Sequence, residues 1–418
     1  MKIYCSGIGG IGLSAYAALQ HAAGHEVLGS DQSLTPLTVD LEGQGITVFS
    51  SQDGSNVPLD TDLFVYSEAI PEHAPERKKA TELGIVQKSY FEALGELSKD
   101  HTVIAVCGTH GKSSTTAMAT LALIDAGMDP TVVVGTKIPQ LDGRNWRKGE
   151  SDIFLLEACE YRGSFLNLHP RIVLMTNVDG DHFDSFKNLE DYQNAYSEFL
   201  ARLPEDGVVI THMQDADCQR IAKQSCKPVL DADVCPKVEL SVPGVHMQEN
   251  ALLVSALSDH MGFSASKSLK GFTGTWRRME VKGDTSSGVT VIDDYAHHPV
   301  EIAATIASAR EAYPGRRIVC LFQPHTHDRT IQFYHEFLIA FDAADLVVTT
   351  DIYDARPDIE KEIVDIAQFT ADIHTTAQYG GPPMEARTLL ERDILQQDDV
   401  LLVLGAGDIT TIATEMVS

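Results

Sequence analysis

The chain has 418 residues and a formal net charge of −28, because 60 acidic residues face only 32 basic ones. Such acidity argues against a surface for nucleic acid or for anionic membranes, so we predict neither as a partner. An anionic substrate would have to be bound by local positive groups. Hydrophobic residues make up 43% of the chain, which is enough for sizeable cores, and the length suits two or three domains of ~100–200 residues each.

Seven cysteines are scattered along the chain, and none forms a C-x-x-C pair. Their odd number and spacing favour reduced thiols over a disulfide framework or a zinc ribbon. The N-terminus runs directly into a strand and a glycine loop, and no apolar stretch approaches the ~18–20 residues of a membrane-spanning helix. We therefore expect a cytoplasmic protein.

The first segment begins with a strand at residues 2–6, a glycine loop of sequence GIGGIG at residues 7–12, and a helix. A second strand then leads to Asp31. This arrangement is typical of a dinucleotide fold, with phosphate on the helix N-terminus and Asp31 on a ribose; a tight turn without a ligand is the alternative. A further strand ends at a loop that starts at Ser67, and the helix at residues 74–83, rich in Glu and Lys, is predicted to be a solvated face.

The second segment carries a phosphate-binding loop between an apolar strand, residues 103–106, and a helix. The loop and the start of the helix comprise Gly108, Thr109, His110, Gly111, Lys112, Ser113 and Ser114. Glycines let backbone N–H groups approach an anion, the helix N-terminus adds partial positive charge, lysine supplies a point charge and a hydroxyl can hold Mg²⁺. The strict phosphate-loop pattern has glycine at position 106, where this chain has valine.

Two later strands of this segment end on polar residues. Glu157 follows the strand at residues 152–156, where a Mg²⁺ ligand would lie beside a phosphate loop, although an ordinary strand-end glutamate is the alternative. The strand at residues 171–176 leads into a dense polar run, residues 177–184, that includes His182. We predict a functional role for His182 beside its acidic neighbours. Residues 204–243 show only weak periodicity.

The third segment begins after two adjacent arginines, Arg277 and Arg278, which suit a phosphate clamp or are simply surface charges. Its strands lead into the runs DDYAHHP and FQPHTHDRT. Zinc binding by His297 and His298 is a poor interpretation, because adjacent strand residues face opposite sides and no other zinc motif is present. Strand–helix alternation throughout predicts an α/β fold of three domains with largely parallel sheets, at residues 1–98, 99–276 and 277–418.

Taken in order, the stretches GIGGIG, CGTHGKSSTT, EACEYRGSF, TNVDGDHFD, RRME, DDYAHHP, FQPHTHDRT and LGAGDI resemble the Mur ligase family. These ATP-dependent amide ligases build the peptide of bacterial cell-wall precursors. The resemblance implies an N-terminal domain for a uridine nucleotide, a central P-loop ATPase domain and a C-terminal domain that closes over the site. It further implies that the chain joins L-alanine to the lactyl carboxylate of UDP-N-acetylmuramate through an acyl phosphate, with ATP and Mg²⁺ or Mn²⁺ as cofactors.

The resemblance also assigns roles to residues. The UDP-sugar would be bound by Gly7, Gly9, Gly10, Ile11, Gly12, Asp31 and Ser67. ATP would be bound by the phosphate loop, Gly108 to Ser114, with Asn250, Arg278 and Asp294. The metal ligands would be Ser113, Glu157 and His182. The pocket for the amino acid would be lined by Tyr295, His297, His325 and Arg329. Catalysis would rest on Lys112, Glu157 and His182, with either His297 or His298 stabilising the oxyanion of the tetrahedral intermediate.

Three alternatives stay open at this point. EACEY is similar to the murein tripeptide recycling ligases, which attach a peptide to the same sugar, whereas FQPHTHDRT is similar to the alanine-adding branch. A nicotinamide-dependent oxidoreductase would use the glycine loop but leaves the Lys112 loop unexplained. A non-catalytic nucleotide-binding homologue would retain the fold without turnover. Some sibling ligases carry a carbamylated lysine near the metals, and the corresponding stretch here, YQNAY at residues 192–196, has no lysine.

Overall fold

The computed structural model describes residues 1–33, 35–181, 185–354 and 363–417. These residues form three β-sheets, with five, seven and six strands. The chain divides into two compact units, residues 1–239 with 249–272 and residues 240–248 with 273–418. The predicted α/β class with largely parallel sheets is confirmed, whereas the domain limits at residues 98 and 276 stay predictions.

The first sheet has the strand order β3-β2-β1-β4-β5, and its pairings are parallel. Strand β1 is buried on both faces, as a parallel sheet covered by helices requires: Ile3 and Cys5 pack on one face and Tyr4 on the other. The strands are β1 Lys2–Ser6, β2 Glu26–Ser30, β3 Thr47–Phe49, β4 Leu63–Tyr66 and β5 Val86–Ser89. The helices are α1 Ile11–Ala22, α2 Pro36–Gly43, α3 Pro75–Glu82 and α4 Tyr90–Ser98.

The prediction that residues 74–83 form a solvated face is wrong for two residues of α3, Glu76 and Ala80, which are buried. Glu76 of α3 is only 1% exposed. Its carboxylate accepts hydrogen bonds from Tyr4 Oη at 2.6 Å, Ser6 Oγ at 2.5 Å and Ser30 Oγ at 2.7 Å. Helix α3 therefore packs on the first sheet through a buried acid rather than through apolar residues alone.

The second sheet has the order β12-β11-β10-β6-β9-β7-β8, with only β8 antiparallel to its neighbour among the described pairings. Strand β6 lies between β10 and β9, so the loops that leave these three strands meet at one edge. The strands are β6 Thr102–Cys107, β7 Thr131–Ile138, β8 Arg144–Arg147, β9 Ile153–Glu157, β10 Ile172–Met175, β11 Val208–Thr211 and β12 Val229–Asp231. The helices are α5 Lys112–Asp125, α6 Leu189–Ala201, α7 Ala216–Gln224, α8 Val245–Met261 and α9 Ser266–Lys270.

The third sheet has the order β13-β14-β18-β15-β16-β17, parallel except for the β13–β14 pair. Alternate residues of β15 fill opposite cores, Cys320 and Phe322 on one face and Val319 and Leu321 on the other. The strands are β13 Glu280–Asp284, β14 Thr290–Asp294, β15 Ile318–Phe322, β16 Leu346–Thr349, β17 Ala377–Tyr379 and β18 Val400–Leu404. The helices are α10 Pro299–Ala312, α11 His327–Gln332, α12 Tyr334–Ala340, α13 Ile366–Asp372, α14 Pro383–Leu389 and α15 Thr410–Glu415.

Within the described ranges, no helix combines the length and the apolar character needed to cross a membrane. All seven cysteines are free thiols, in agreement with the absence of a disulfide framework predicted from their spacing.

Candidate active site

The phosphate loop leaves β6 and enters α5, as its sequence predicts. Gly111 caps the helix with φ of 81°, a left-handed conformation that favours glycine. A Cβ at this position would collide with the side-chain amide of Asn250, which comes from α8. Asn250 therefore lies against the loop, and its predicted contact with adenine stays a prediction.

Lys112 is the first residue of α5, and its ammonium group folds back over the loop. Nζ donates to the carbonyl oxygens of Gly108 at 2.6 Å and Thr109 at 3.0 Å. It also forms a salt bridge of 3.0 Å with Glu160, whose side chain is 1% exposed. Burial opposes the lysine charge, but Glu160 and other nearby acidic groups outweigh it, so the pKa of Lys112 is raised and the lysine stays charged.

The two predicted metal ligands within the described chain lie in direct contact. Ser113 Oγ donates to Glu157 Oε2 at 2.9 Å, and the same oxygen accepts the amide of Gly135 at 2.9 Å. Glu157 ends β9, next to β6, which explains how residues 44 positions apart meet. A hydroxyl and a carboxylate are the hard oxygen donors that Mg²⁺ prefers, and with phosphate oxygens they can complete its shell. The pair therefore fits the predicted magnesium site.

The described residues contain no group of three His, Cys, Asp or Glu side chains placed to hold a metal. A metal site built from two protein ligands and a nucleotide does not require such a group of three side chains. His182, the third predicted ligand, lies outside the described residues.

The polar run after β10 braces the phosphate loop. The Asn177 side chain accepts the amide of His110 at 2.8 Å, and Thr176 Oγ1 donates to the His110 carbonyl at 2.6 Å. Thr109 Oγ1 accepts the amide of Asp179 at 3.0 Å, and burial raises the pKa of the Asp179 carboxyl. Ser114 is buried in the first turn of α5. The run was predicted to be functional, and it holds the backbone of the loop in place.

The predicted UDP-sugar residues also meet at one sheet edge. Gly7 lies against Ser67, and Gly10 caps α1. The carboxylate of Asp31 accepts the amide of Gly9 at 2.8 Å and that of Ser33 at 3.0 Å. Asp31 thus fixes the glycine loop itself, in addition to any contact with a ribose.

The remaining two positions of that loop make contacts with neighbouring elements. The carbonyl of Ile11 accepts a hydrogen bond from Asn145 Nδ2 of β8 at 2.6 Å. A Cβ at Gly12 would approach the ring of Tyr90 to 2.8 Å, so glycine is required there for packing against α4.

In the second unit, the two adjacent arginines differ. Arg277 is 5% exposed and binds the Gly405 carbonyl and Asp293, whereas Arg278 forms a 3.5 Å ion pair with Glu301. Both guanidinium groups stack over the ring of Tyr295, at 5.0 and 5.3 Å. Arg277 is therefore part of the core, and neither arginine is an isolated surface charge.

Asp294 ends β14 and is 3% exposed. Its two oxygens accept the amides of Met279 at 2.7 Å and Ala296 at 2.8 Å. Burial raises the pKa of Asp294 to about 6, although Arg278 and these two amides act in the opposite direction.

His297 and His298 have different environments. His298 is 4% exposed, caps α10 by accepting the amide of Val300 at 3.4 Å, and packs on Phe333. His297 Nδ1 lies 2.9 Å from the Tyr295 carbonyl and 3.3 Å from Glu301. Because both partners only accept, Nδ1 of His297 carries a proton.

His325 completes the predicted amino-acid pocket. Its ring lies 5.6 Å from that of His297, and its Nδ1 accepts a hydrogen bond from Arg329 at 3.1 Å. Tyr353, which no sequence motif pointed to, stacks on His325 at 5.8 Å. The four predicted pocket residues, Tyr295, His297, His325 and Arg329, are therefore brought together.

Sequence reasoning missed Glu160 and Glu301, the carboxylates that pair with Lys112 and Arg278. Glu160 stands three residues after Glu157 at the same sheet edge, and Glu301 lies one helical turn after His297. Both spacings can be read from the sequence. Neither of them, without the fold, shows that Glu160 pairs with Lys112 or that Glu301 pairs with Arg278.

Three family models match successive parts of the chain. They are the Mur ligase family catalytic domain at residues 2–102, the Mur ligase middle domain at 106–234, and the Mur ligase glutamate ligase domain at 277–407. The chain belongs to the Mur ligase family. The resemblance predicted from the sequence is thereby confirmed.

Curated family members align over nearly the full length. A UDP-N-acetylmuramate–L-alanine ligase of Clostridium kluyveri is 37% identical, covering 98% of this chain and 96% of that protein. One of Clostridium acetobutylicum is 35% identical, covering 100% and 97%. The crystal structure of the UDP-N-acetylmuramate–alanine ligase of Thermotoga maritima superposes with a TM-score of 0.83 at 27% identity, covering 100% of this chain and 98% of that chain.

A murein peptide ligase of Psychrobacter arcticus superposes with a TM-score of 0.76 at 22% identity, over the whole of both chains. At this identity the match shows the shared fold of the family alone. The curated relatives therefore favour the alanine-adding branch over the recycling branch.

Proposed function

We infer that the chain is an ATP-dependent ligase that joins L-alanine to the lactyl carboxylate of UDP-N-acetylmuramate, in the synthesis of peptidoglycan precursors. Near full-length identity of 35–37% to ligases of that name carries this inference. The oxidoreductase alternative is not favoured, because the glycine loop lies in a matched Mur ligase domain. A non-catalytic homologue is not favoured either, because Lys112, Ser113 and Glu157 are all retained.

The phosphate loop would bind ATP and activate the carboxylate. A carboxylate is a poor electrophile, so phosphoryl transfer from ATP first converts it into an acyl phosphate and releases ADP. The transition state of that transfer requires precise positioning and positive charge. Lys112, anchored on the loop carbonyls, supplies the charge, and the loop amides beside it orient the phosphates.

Ser113 and Glu157 would hold Mg²⁺, which supplies additional positive charge at the ATP phosphates when it is bound. Their 2.9 Å contact supports this assignment. Glu157 would also keep the hydroxyl of Ser113 directed toward the metal position. The proposal also includes His182 as a further metal ligand and Mn²⁺ as a substitute for Mg²⁺.

His297 would act in the second half of the reaction. The amine of alanine must be neutral to attack the acyl phosphate, which then expels phosphate from a tetrahedral intermediate. With Nδ1 bound to the Tyr295 carbonyl and Glu301, His297 would use Nε2 for proton transfer or for donation to the oxyanion. His298 is a weaker candidate, because it is buried as the cap of α10.

The proposal includes a cytoplasmic location, where free thiols are stable and ATP is available. Its partners would be the three small-molecule substrates.

The decisive experiment incubates the protein with ATP, Mg²⁺, UDP-N-acetylmuramate and L-alanine, and measures phosphate release and product mass. We expect alanine-dependent turnover that is lost in Lys112→Ala. Because this substitution leaves Glu160 without its cation, UDP-sugar binding serves as the test of folding and should be retained. Lys99→Ala, which removes an exposed ion pair with Glu96, is the matched control and should retain full turnover.

Two results would contradict the proposal. Turnover with a tripeptide but not with alanine, glycine or serine would assign the chain to the recycling branch. Full ATP turnover by a folded Lys112→Ala protein would remove Lys112 from the mechanism.

A further inference from the structure

A buried chain of hydroxyl groups lies behind the phosphate loop. Tyr192 Oη, from α6, is 2.9 Å from Thr109 Oγ1, 3.0 Å from Tyr196 Oη and 3.3 Å from Glu160 Oε1. Tyr192 and Tyr196 are fully buried, as is Glu160. One hydroxyl of α6 thus connects a residue of the loop to the carboxylate that holds Lys112.

The partners fix the direction of every hydrogen bond in this group. The Glu160 carboxylate can only accept, so Tyr192 donates its single proton to it. The Tyr192 oxygen must then accept from both Thr109 and Tyr196. Thr109 can donate its hydroxyl proton to Tyr192, because its contact with the Asp179 amide uses only the hydroxyl oxygen as an acceptor. Thr109 and Tyr196 therefore donate to Tyr192, and Tyr192 donates to Glu160.

Aromatic packing makes this network rigid and keeps water out. The ring of Tyr192 packs edge-on against Phe186 at 5.1 Å, and that of Tyr196 against Phe165 at 5.3 Å. Burial raises the pKa of both tyrosines, so both remain neutral donors over the working pH range. In such surroundings hydrogen bonds polarise one another, and removal of one affects the rest.

Glu160 transmits the network to Lys112. Its carboxylate lies 3.0 Å from Lys112 Nζ, which is itself bound to the loop carbonyls. Helix α6 thus contributes hydroxyl groups that reach the loop from behind.

We propose that Tyr192, supported by Tyr196, is a positioning residue for phosphoryl transfer: through Glu160 and Thr109 it holds the ammonium of Lys112 and the backbone of the loop in the reactive arrangement. The proposal rests on the inferred role of Lys112 in ATP-dependent ligation. Tyr192 would act through these neighbours and not by contact with the reacting atoms. Its effect should therefore appear in the rate of the chemical step more than in nucleotide binding.

The test measures kcat and KM for ATP in Tyr192→Phe, which deletes the hydroxyl and keeps the ring. We expect kcat to fall by about 10-fold while KM for ATP changes by less than about 3-fold, because misplacement of a catalytic group slows chemistry. Glu160→Gln should lower kcat further, and the double variant should lose clearly less than the product of the two single losses, since the hydroxyl acts largely through the carboxylate. Tyr196→Phe should give a smaller loss in the same direction.

Tyr4→Phe is the matched control. It removes another buried tyrosine–glutamate hydrogen bond, Tyr4 to Glu76 at 2.6 Å, in the first sheet. A purely structural role for Tyr192 predicts the same kinetic effect for both variants. Equal kcat in Tyr192→Phe and Tyr4→Phe, or additive losses with Glu160→Gln, would overturn the proposal.

Two further outcomes, a variant that does not fold and a wild-type protein that is inactive, can be distinguished from the kinetic results above. If Tyr192→Phe does not fold, Tyr196→Phe decides by the same kinetic criteria. If the wild-type protein itself does not ligate alanine, the proposed function fails, and the positioning role that rests on it fails too. If the wild-type protein ligates alanine and Tyr192→Phe leaves kcat unchanged, only the positioning role fails.

Discussion

At the scale of single residues, the balance between burial and hydrogen bonding determines whether the pKa of a carboxyl group is raised or lowered. Asp294 is held by two backbone amides, yet burial raises its pKa from 3.8 to about 6. Asp345 shows the opposite behaviour, because the Ile318 amide and Arg310 outweigh burial and lower its pKa. Two aspartates of the same unit should therefore influence stability with opposite dependence on pH.

We predict that Asp294 destabilises the fold as it ionises. Because its folded-state pKa is raised, the favourable contribution is complete below a pH of about 4 and is lost as pH rises through about 6. Relative to Asp294→Asn, the wild-type protein should lose roughly 3 kcal/mol of unfolding free energy across that window. Urea unfolding at intervals of pH measures the difference. Asp345→Asn is the control and should show the reverse slope, and a flat difference for Asp294→Asn would contradict the prediction.

At the scale of elements, helix α3 shows how one residue can determine the packing of a polar helix. Four of its eight residues are exposed, as its Glu- and Lys-rich sequence indicates. Among its charged residues only Glu76 is buried, and its carboxylate contacts three hydroxyl groups on β1 and β2. A buried acceptor with three donors is costly to remove, because each donor is then left unpaired.

We expect Glu76→Gln to lower the unfolding free energy by about 3 kcal/mol, because the amide nitrogen would face donors instead of accepting from them. Thermal and urea unfolding measure the loss. Glu82→Gln, on the same helix, removes only an exposed pair with Lys79 and should change stability by less than about 0.5 kcal/mol. Similar effects of the two substitutions would show that the buried network contributes little.

The same contrast explains what could be predicted from sequence. Lys112, Ser113 and Glu157 were predicted to act together because glycine spacing and strand ends are local signals, and parallel strands bring their carboxyl ends to one edge. Glu160 was missed because its importance depends on a lysine 48 residues away. The polar character of Glu76 was likewise misleading, since its burial depends on hydroxyls from strands remote in sequence.

The positions of helices and strands were likewise predicted well only where the local sequence pattern is strong. Strands with continuous apolar runs, such as β6 and β9, were placed to within one residue at each end. Helix α7 was missed within residues 204–243, because its buried face consists only of Cys218, Ile221 and Ala222. The edge strand β13 was also missed, because half-exposed residues carry no strong hydrophobic pattern.

At the scale of the whole molecule, the net charge of −28 opposes the approach of anionic substrates. The cations proposed to meet phosphate do not offset it, because each is paired with a carboxylate: Lys112 with Glu160 at 3.0 Å and Arg278 with Glu301 at 3.5 Å. Recognition of phosphate would therefore depend on short-range hydrogen bonds within the loops rather than on a long-range attractive field. Salt, which screens long-range repulsion more than close contacts, distinguishes these two contributions.

We predict that kcat/KM for ATP and for UDP-N-acetylmuramate rises by about 3-fold to 10-fold between low and moderate ionic strength, as screening shortens the range of repulsion to ~8–10 Å. Initial rates in potassium acetate at saturating Mg²⁺ provide the measurement. L-Alanine, a zwitterion without net charge, is the internal control, and its kcat/KM should change by less than about 2-fold over the same range. A fall in kcat/KM for the two anionic substrates with rising salt would mean that an attractive local field steers them despite the acidity of the chain.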